Sequence, residues 1–125
     1  MAFEFLEERN RIEYKSILTC DFEETIVAFL NYSEGGEVYI GIDDKTKTIC
    51  GVDNLDLVQR QITDRIKNNI QPRTLGLFDI LIEKIDGIEV IKVIVSSGIE
   101  KPYYLRKKGM SPEGCFLRVG SSGST

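Results

Sequence analysis

The sequence predicts an α+β domain: two main helices packed on one face of a mixed, mostly antiparallel sheet of six or seven strands. Three observations carry that prediction. Apolar residues recur at helical spacing in two segments, 22–30 and 55–70. Apolar, β-branched runs suited to strands fill much of the remainder, and Asp86-Gly87 joins two of them as a tight hairpin. Helices alternating with antiparallel hairpins define this fold class. The 125 residues, 42% apolar and 29% charged, suffice for one compact domain around one core.

Arg11 to Lys15 alternates polar and apolar, with Ile12 and Tyr14 facing one way and Arg11, Glu13 and Lys15 the other, the period of a half-buried strand. Asp21 stands three residues before Glu24 at capping-box spacing, and Phe22, Ile26, Phe29 and Leu30 then mark an amphipathic helix up to Asn31. Ser33-Glu34-Gly35-Gly36 ends it, with Gly35-Gly36 expected to supply positive φ and Gly41 to allow a close approach. Glu37–Ile42 is apolar enough for a central strand, and the turn 43–47 returns the chain into Thr48-Ile49-Cys50 as a hairpin partner.

Asn54 caps a second amphipathic helix, marked by Leu55, Val58, Ile62, Ile66 and Ile70, with Gln59, Arg60, Asp64 and Lys67 on its polar face and Pro72 as its stop. Phe78–Ile85 and Ile88–Val95 are long strands joined at Asp86-Gly87. Lys101–Leu105 and Gly114–Val119 read as short strands separated by a basic loop, and 120–125 as a flexible tail.

Composition excludes several function classes. No apolar run approaches the ~20 residues that span a bilayer, and the start MAFEFLEERN lacks the basic and apolar regions of a signal peptide, so the expectation is a soluble, cytoplasmic chain with no membrane partner. Cys20, Cys50 and Cys115 are odd in number, widely spaced and unaccompanied by His, which leaves reduced, mostly structural thiols and no zinc site. The absence of His also removes Ser-His and Cys-His nucleophile pairs, so any catalysis must run on carboxylates. No phosphate-binding glycine motif precedes a helix, which disfavours nucleotide binding. A net charge of −4 makes any polyanion site local; Arg9/Arg11/Lys15, Arg60/Arg65/Lys67 and Lys101/Arg106/Lys107/Lys108/Arg118 are the basic groups.

The strings Glu8-Arg-Asn-Arg-Ile-Glu13-Tyr-Lys15, Ala28-Phe-Leu-Asn31, Gly35-Gly36-Glu-Val-Tyr-Ile-Gly41-Ile-Asp43, Gly51-Val-Asp53, Pro102-Tyr-Tyr104 and Arg118-Val-Gly-Ser-Ser122 arrive in an order that resembles the Schlafen/AlbA-like DNA-binding domain family. The resemblance covers about Glu8 to Ser122. It implies a nucleic-acid-binding module of a bacterial transcriptional regulator-like or helicase-like protein, with 1–125 a single domain cut from a longer chain whose further C-terminal domains are partners. DNA and RNA are both open as ligands, and so is a homodimer. Glu24 stands where many family members carry a basic residue.

Two sets of site residues follow. For binding, which requires no cofactor, Arg9, Arg11, Lys15, Arg106, Lys107, Lys108 and Arg118 supply phosphate contacts, and Tyr104 an aromatic face for a base. One of Tyr103 and Tyr104 must point inward on a strand. Arg106, Lys107, Lys108 and Arg118 are expected on one edge of the sheet. The alternative, a Mg²⁺- or Mn²⁺-dependent RNA endonuclease, comes from the animal relatives: Glu8, Glu13 and Asp43 fall at the positions of their catalytic carboxylates, hard oxygen ligands for such ions. A spacing of five puts Glu8 and Glu13 about 140° apart on a helix and on opposite faces of a strand, so they converge only across a bend. A protein-interaction domain, with exposed apolar residues forming a dimer face, is the remaining class.

Overall fold

The computed structural model describes residues 12–107, 117–119 and 122–124. Strand β1 (Ile12–Lys15) leads through helix α1 (Phe22–Asn31) into β2 (Gly36–Ile40); α2 (Leu55–Asn69) follows, then the short β3 (Ile70–Gln71), the hairpin β4 (Phe78–Ile85) and β5 (Ile88–Val95), and β6 (Tyr104–Leu105). β7 (Leu117–Val119) and β8 (Ser122–Ser124) pair antiparallel, so three residues assigned from composition to a flexible tail lie in a strand. Among the described residues the main sheet has four strands in the order β1-β2-β5-β4, and β3-β6 and β7-β8 are separate two-stranded ribbons. The fold is therefore α+β with a mixed sheet, smaller than the six or seven strands expected, because the short strands pair with one another.

β1 and β2 run parallel, with Glu13 opposite Val38 and Lys15 opposite Ile40. Parallel neighbours need a crossover connection, and α1 supplies it. Both helices pack on one face: Phe22, Ile26, Phe29, Leu30, Ile62 and Ile66 meet Val38, Ile40, Ile91, Val93 and Val95. The opposite face holds a second cluster of Ile12, Tyr14, Tyr39, Ile42, Ile85 and Val90. The sequence alternation of β1 is thus real, but both of its faces meet other elements.

α1 is more than amphipathic. Every residue from Phe22 to Leu30 except Glu24 is buried, since the helix lies against the sheet, α2 and the two ribbons. Its capping also differs from expectation. Asp21 makes no side-chain cap; its carboxylate accepts from the Thr19 hydroxyl and from Lys15 Nζ (3.3 Å), and only its backbone carbonyl holds the first turn. Asn54 does cap α2, its Oδ1 accepting from the Leu57 N–H at 3.3 Å.

The Asp86-Gly87 turn forms as predicted, with φ of 51° and 81°, the left-handed pair of a type I′ hairpin. Of the two glycines after α1, Gly35 adopts φ 66°, whereas Gly36 does not; Gly36 opens β2 against the ring of Phe29, where a Cβ would collide. Thr48-Ile49-Cys50 is not a strand but a single bridge, Ile42 to Ile49. Asp43 Oδ1 draws in the N–H groups of Lys45 and Thr46, and the Cys50 and Gly51 N–H groups both converge on the Gly41 carbonyl, so the returning segment cannot keep a ladder. Tyr103 is fully buried, and both its backbone polar groups bond the Asn31 side chain, which shortens the expected strand to Tyr104-Leu105. Cys20 and Cys50 are free but exposed, against the expectation of structural thiols. Among the described residues no helix is long and apolar enough to cross a membrane.

Candidate nucleic-acid interface

The segment between β1 and α1 carries Thr19 and Cys20 to the start of α1. The last turns of α2 bring Arg65 and Asn69 alongside, and β6 runs back past them because Arg106 N–H donates to the Asn69 carbonyl at 2.8 Å. A cleft of about 740 Å³ lies at this junction, lined by Leu18, Thr19, Glu23, Arg65, Leu105 and Lys107 among others.

Its floor is a closed polar network. Arg65 grips Glu23 in a bidentate fork, through Nε at 2.8 Å and through Nη2, and Asn69 Nδ2 adds a third bond at 2.7 Å. Arg65 Nη2 also donates to the Thr19 carbonyl at 2.8 Å, and the guanidinium sits 5.5 Å from the Phe22 ring centre. Burial alone pushes the Glu23 carboxyl up, but the hydrogen bonds from Arg65 and Asn69 outweigh it and hold the group below its ordinary value. The hydrogen bond to Glu23 likewise raises Arg65. This pair is internally satisfied.

A second network adjoins it through Thr19. Lys15 Nζ lies 3.9 Å from Glu13 Oε2 and 3.3 Å from Asp21 Oδ1. Burial raises Asp21, yet the Thr19 hydroxyl and the Lys15 charge bring it below the usual carboxylate range. Lys15, with 10% of its side chain exposed, is therefore shared between two carboxylates.

The cations at the end of α2 are arranged differently. Lys67, Arg106 and Lys107 are all exposed, and no described carboxylate pairs with any of them. Arg106 Nη1 reaches the Asn68 carbonyl at 3.5 Å, at the helix end where the macrodipole favours positive charge. Lys107 lines the mouth of the cleft. Tyr104 is half-buried on β6 opposite Gln71. Arg118 belongs to β7, in the ribbon beside α1, and Arg106 follows β6 in the other ribbon, so the two do not share an edge of the main sheet. Arg9, Arg11 and Lys108 lie outside the described residues.

The carboxylates proposed for a metal are placed as follows. Glu13 is in β1 on the helix-facing side, opposite Val38. Asp43 opens the 43–47 turn; hydrogen bonds from the Thr46 N–H and hydroxyl and from the Lys45 N–H keep its carboxyl below the ordinary value. Glu8 lies outside the described residues, and among those described no three acidic or thiol groups come together as a metal site. The described part of the triad does not make a metal centre by itself.

Sequence reasoning missed the Glu23–Arg65–Asn69 cluster. The available signal was that Arg65 and Asn69, one turn apart, border the Ile62/Ile66 stripe instead of the outer face of α2. Its partner, 42 residues away, is a matter of tertiary packing.

Together the mixed sheet and its two helices on one face define a small α+β domain, with a cleft lined by both acidic and basic side chains, Glu23, Glu24, Arg65 and Lys107. The chain belongs to the Schlafen AlbA_2 family, whose model matches residues 8–124. Among solved structures it is similar to the DIP2311 protein of Corynebacterium diphtheriae, with a TM-score of 0.66 and 17% identity over 92% of this chain. The match spans 22% of that protein's length, and at such identity it shows the fold. No curated protein matches the sequence.

Proposed function

We propose that the chain is a nucleic-acid-binding module of a bacterial regulator-like protein, holding phosphates at the basic end of α2. One observation carries this reading: in a chain of net charge −4, Arg106 and Lys107 follow β6 past the end of α2, exposed and without a described carboxylate partner, and Lys107 lines the cleft there. Arg65 and Lys15, by contrast, are consumed internally. Clustered cations repel one another unless an anion neutralises them, and a phosphate backbone does so at regular spacing. Leu18 and Leu105 line the same cleft and offer an apolar wall to a base.

Fluorescence anisotropy with single- and double-stranded DNA and RNA at low salt tests this. Binding should weaken steeply with salt, and replacing Lys107 and Lys108 together by Glu should weaken all sequences alike and lower the log–log salt slope by roughly 2, one per lost phosphate contact. A double variant with unchanged affinity and slope removes this surface from the site. Absence of binding to every probe refutes the reading. The metal-dependent ribonuclease reading has less support, since Glu13 is paired with Lys15 and Asp43 is held in its own turn. Cleavage that appears with Mn²⁺ and is lost in Glu13→Gln while binding persists would favour it.

A further inference from the structure

We infer that the free edge of β4 pairs with the same edge of a second copy of this chain, joining two four-stranded sheets into one across a two-fold axis at Ile82. β4 ends the strand order β1-β2-β5-β4 and is eight residues long, so among the described residues it has a strand neighbour on one side only. Single-chain proteins blunt such edges with proline, bulges, shortness or central charge. β4 has none of these at its middle: its register with β5 runs unbroken from Phe78 to Ile85, and Ile80-Leu81-Ile82 carries no charge. Leu81 and Ile82 are 39% and 43% exposed, one on each face, as a strand waiting for a neighbour would leave them.

Backbone parity determines which groups are offered. Ser96 N–H donates to the Leu77 carbonyl at 2.8 Å, one step beyond the Phe78–Val95 pair. Hydrogen-bonded pairs alternate along an antiparallel ladder, so residues 77, 79, 81, 83 and 85 spend their N–H and C=O groups on β5, whereas Phe78, Ile80, Ile82 and Lys84 direct theirs outward, the Ile80 N–H donating to Asp79 Oδ1 at 3.1 Å within the single chain. A two-fold axis perpendicular to the sheet preserves the faces, and a residue must then oppose one of its own parity.

Charge and strand overlap together select the register: a pairing centred on Ile80 also lacks like-charge pairs but overlaps only residues 78–82 of β4, against 79–85 when centred on Ile82. Centred on Leu81, the pairing sets Asp79 against Glu83 twice, like charges directly opposite. Centred on Glu83, it opposes that carboxylate to itself. Centred on Ile82, the pairs are Ile82 with Ile82, Ile80 with Lys84, Leu81 with Glu83 and Asp79 with Ile85, with no like-charge pair. That register makes about six inter-chain backbone hydrogen bonds from the outward groups of Ile80, Ile82 and Lys84, the two donated by Ile80 replacing its bond to Asp79 Oδ1. It also covers Ile82 beside Ile80, which packs against the helix-side core.

Sedimentation velocity over a wide concentration range, with residue-resolved hydrogen exchange, tests the pairing independently of any nucleic acid. The wild-type chain should pass from monomer to dimer. The amides of Ile80, Ile82 and Lys84 should gain protection with concentration, while those of Asp79, Leu81 and Glu83 stay protected throughout. Ile82→Lys, which sets two cations on the axis, and Ile82→Pro, which removes an outward N–H that an edge strand does not need for its own fold, should both remain monomeric. Ile99→Lys, at an 86% exposed position off this edge, should dimerise as the wild type does. A wild-type chain that stays monomeric overturns the proposal and leaves the edge to another partner. So does an Ile82→Lys dimer, or concentration-independent exchange at Ile80, Ile82 and Lys84.

Discussion

Replacing Arg65 by Met keeps an aliphatic stem but removes the guanidinium that lies over the Phe22 ring and forks onto Glu23. The variant loses two charge-assisted bonds to Glu23 and one to the Thr19 carbonyl, leaving Asn69 as the remaining donor to the carboxylate. Breaking a fully buried pair costs about 3–5 kcal/mol and an exposed one about 0–1 kcal/mol. Glu23 is 11% exposed and Arg65 25%, so water reaches the arginine side and the expected loss is about 2–3 kcal/mol near neutral pH. For a domain of this size that lowers Tm by roughly 10 °C.

The pH dependence distinguishes this mechanism from simple loss of packing. In the wild type the Glu23 carboxyl sits below its unfolded value, so its contribution is fully present above the unfolded pKa of about 4.3 and fades as pH falls through the lowered folded value. Without Arg65, burial dominates and pushes the carboxyl up, so its ionisation then opposes folding. The stability difference between Arg65→Met and wild type should therefore shrink in acid and grow as pH rises past the carboxylate range. Glu23→Gln added to Arg65→Met should recover part of the loss at neutral pH. Urea titrations across the pH range, with both single variants and the double, measure this. A difference below about 0.5 kcal/mol, or one that does not change with pH, would refute the assignment of Glu23 as a buried charge held by Arg65.

Two glycine substitutions should fail for different reasons. Gly87→Ala meets no atom within 4 Å and should lose only about 1–2 kcal/mol for its φ of 81°, whereas Gly36→Ala runs into the Phe29 ring and should lose more. Phe29→Leu should lessen the cost of Gly36→Ala and leave that of Gly87→Ala unchanged in thermal melts; equal behaviour of the two would refute the steric account. Tyr103→Phe removes the hydroxyl that accepts from the Ile99 and Glu100 N–H groups, both at 3.1 Å, and should destabilise by about 1–2 kcal/mol with faster exchange at those two amides; unchanged exchange would show that the hydroxyl does not hold the 98–103 turn.

The sequence by itself determined the elements whose physics is local. The Asp86-Gly87 hairpin follows from two residues that accept positive φ, and α2 from the Asn54 cap and the Ile62/Ile66 spacing. The central position of β2 follows from a run apolar on both faces. In each case the deciding atoms lie within a few residues of one another. The motifs from Glu8 to Ser122 likewise sufficed to indicate the family. Tertiary structure decided the rest. Whether Asp21 caps its helix depended on Lys15 and Thr19 competing for its carboxylate, and whether Thr48–Cys50 became a strand depended on where the Gly41 carbonyl pointed. Of the basic residues, Arg65 turned inward because Glu23 lies buried beside it, while Arg106 and Lys107 stayed outside because β6 runs past the end of α2. The charge of a side chain is written in the sequence, but whether that charge is spent inside or offered to a ligand depends on a partner brought near by the fold, and local periodicity carries no information about it.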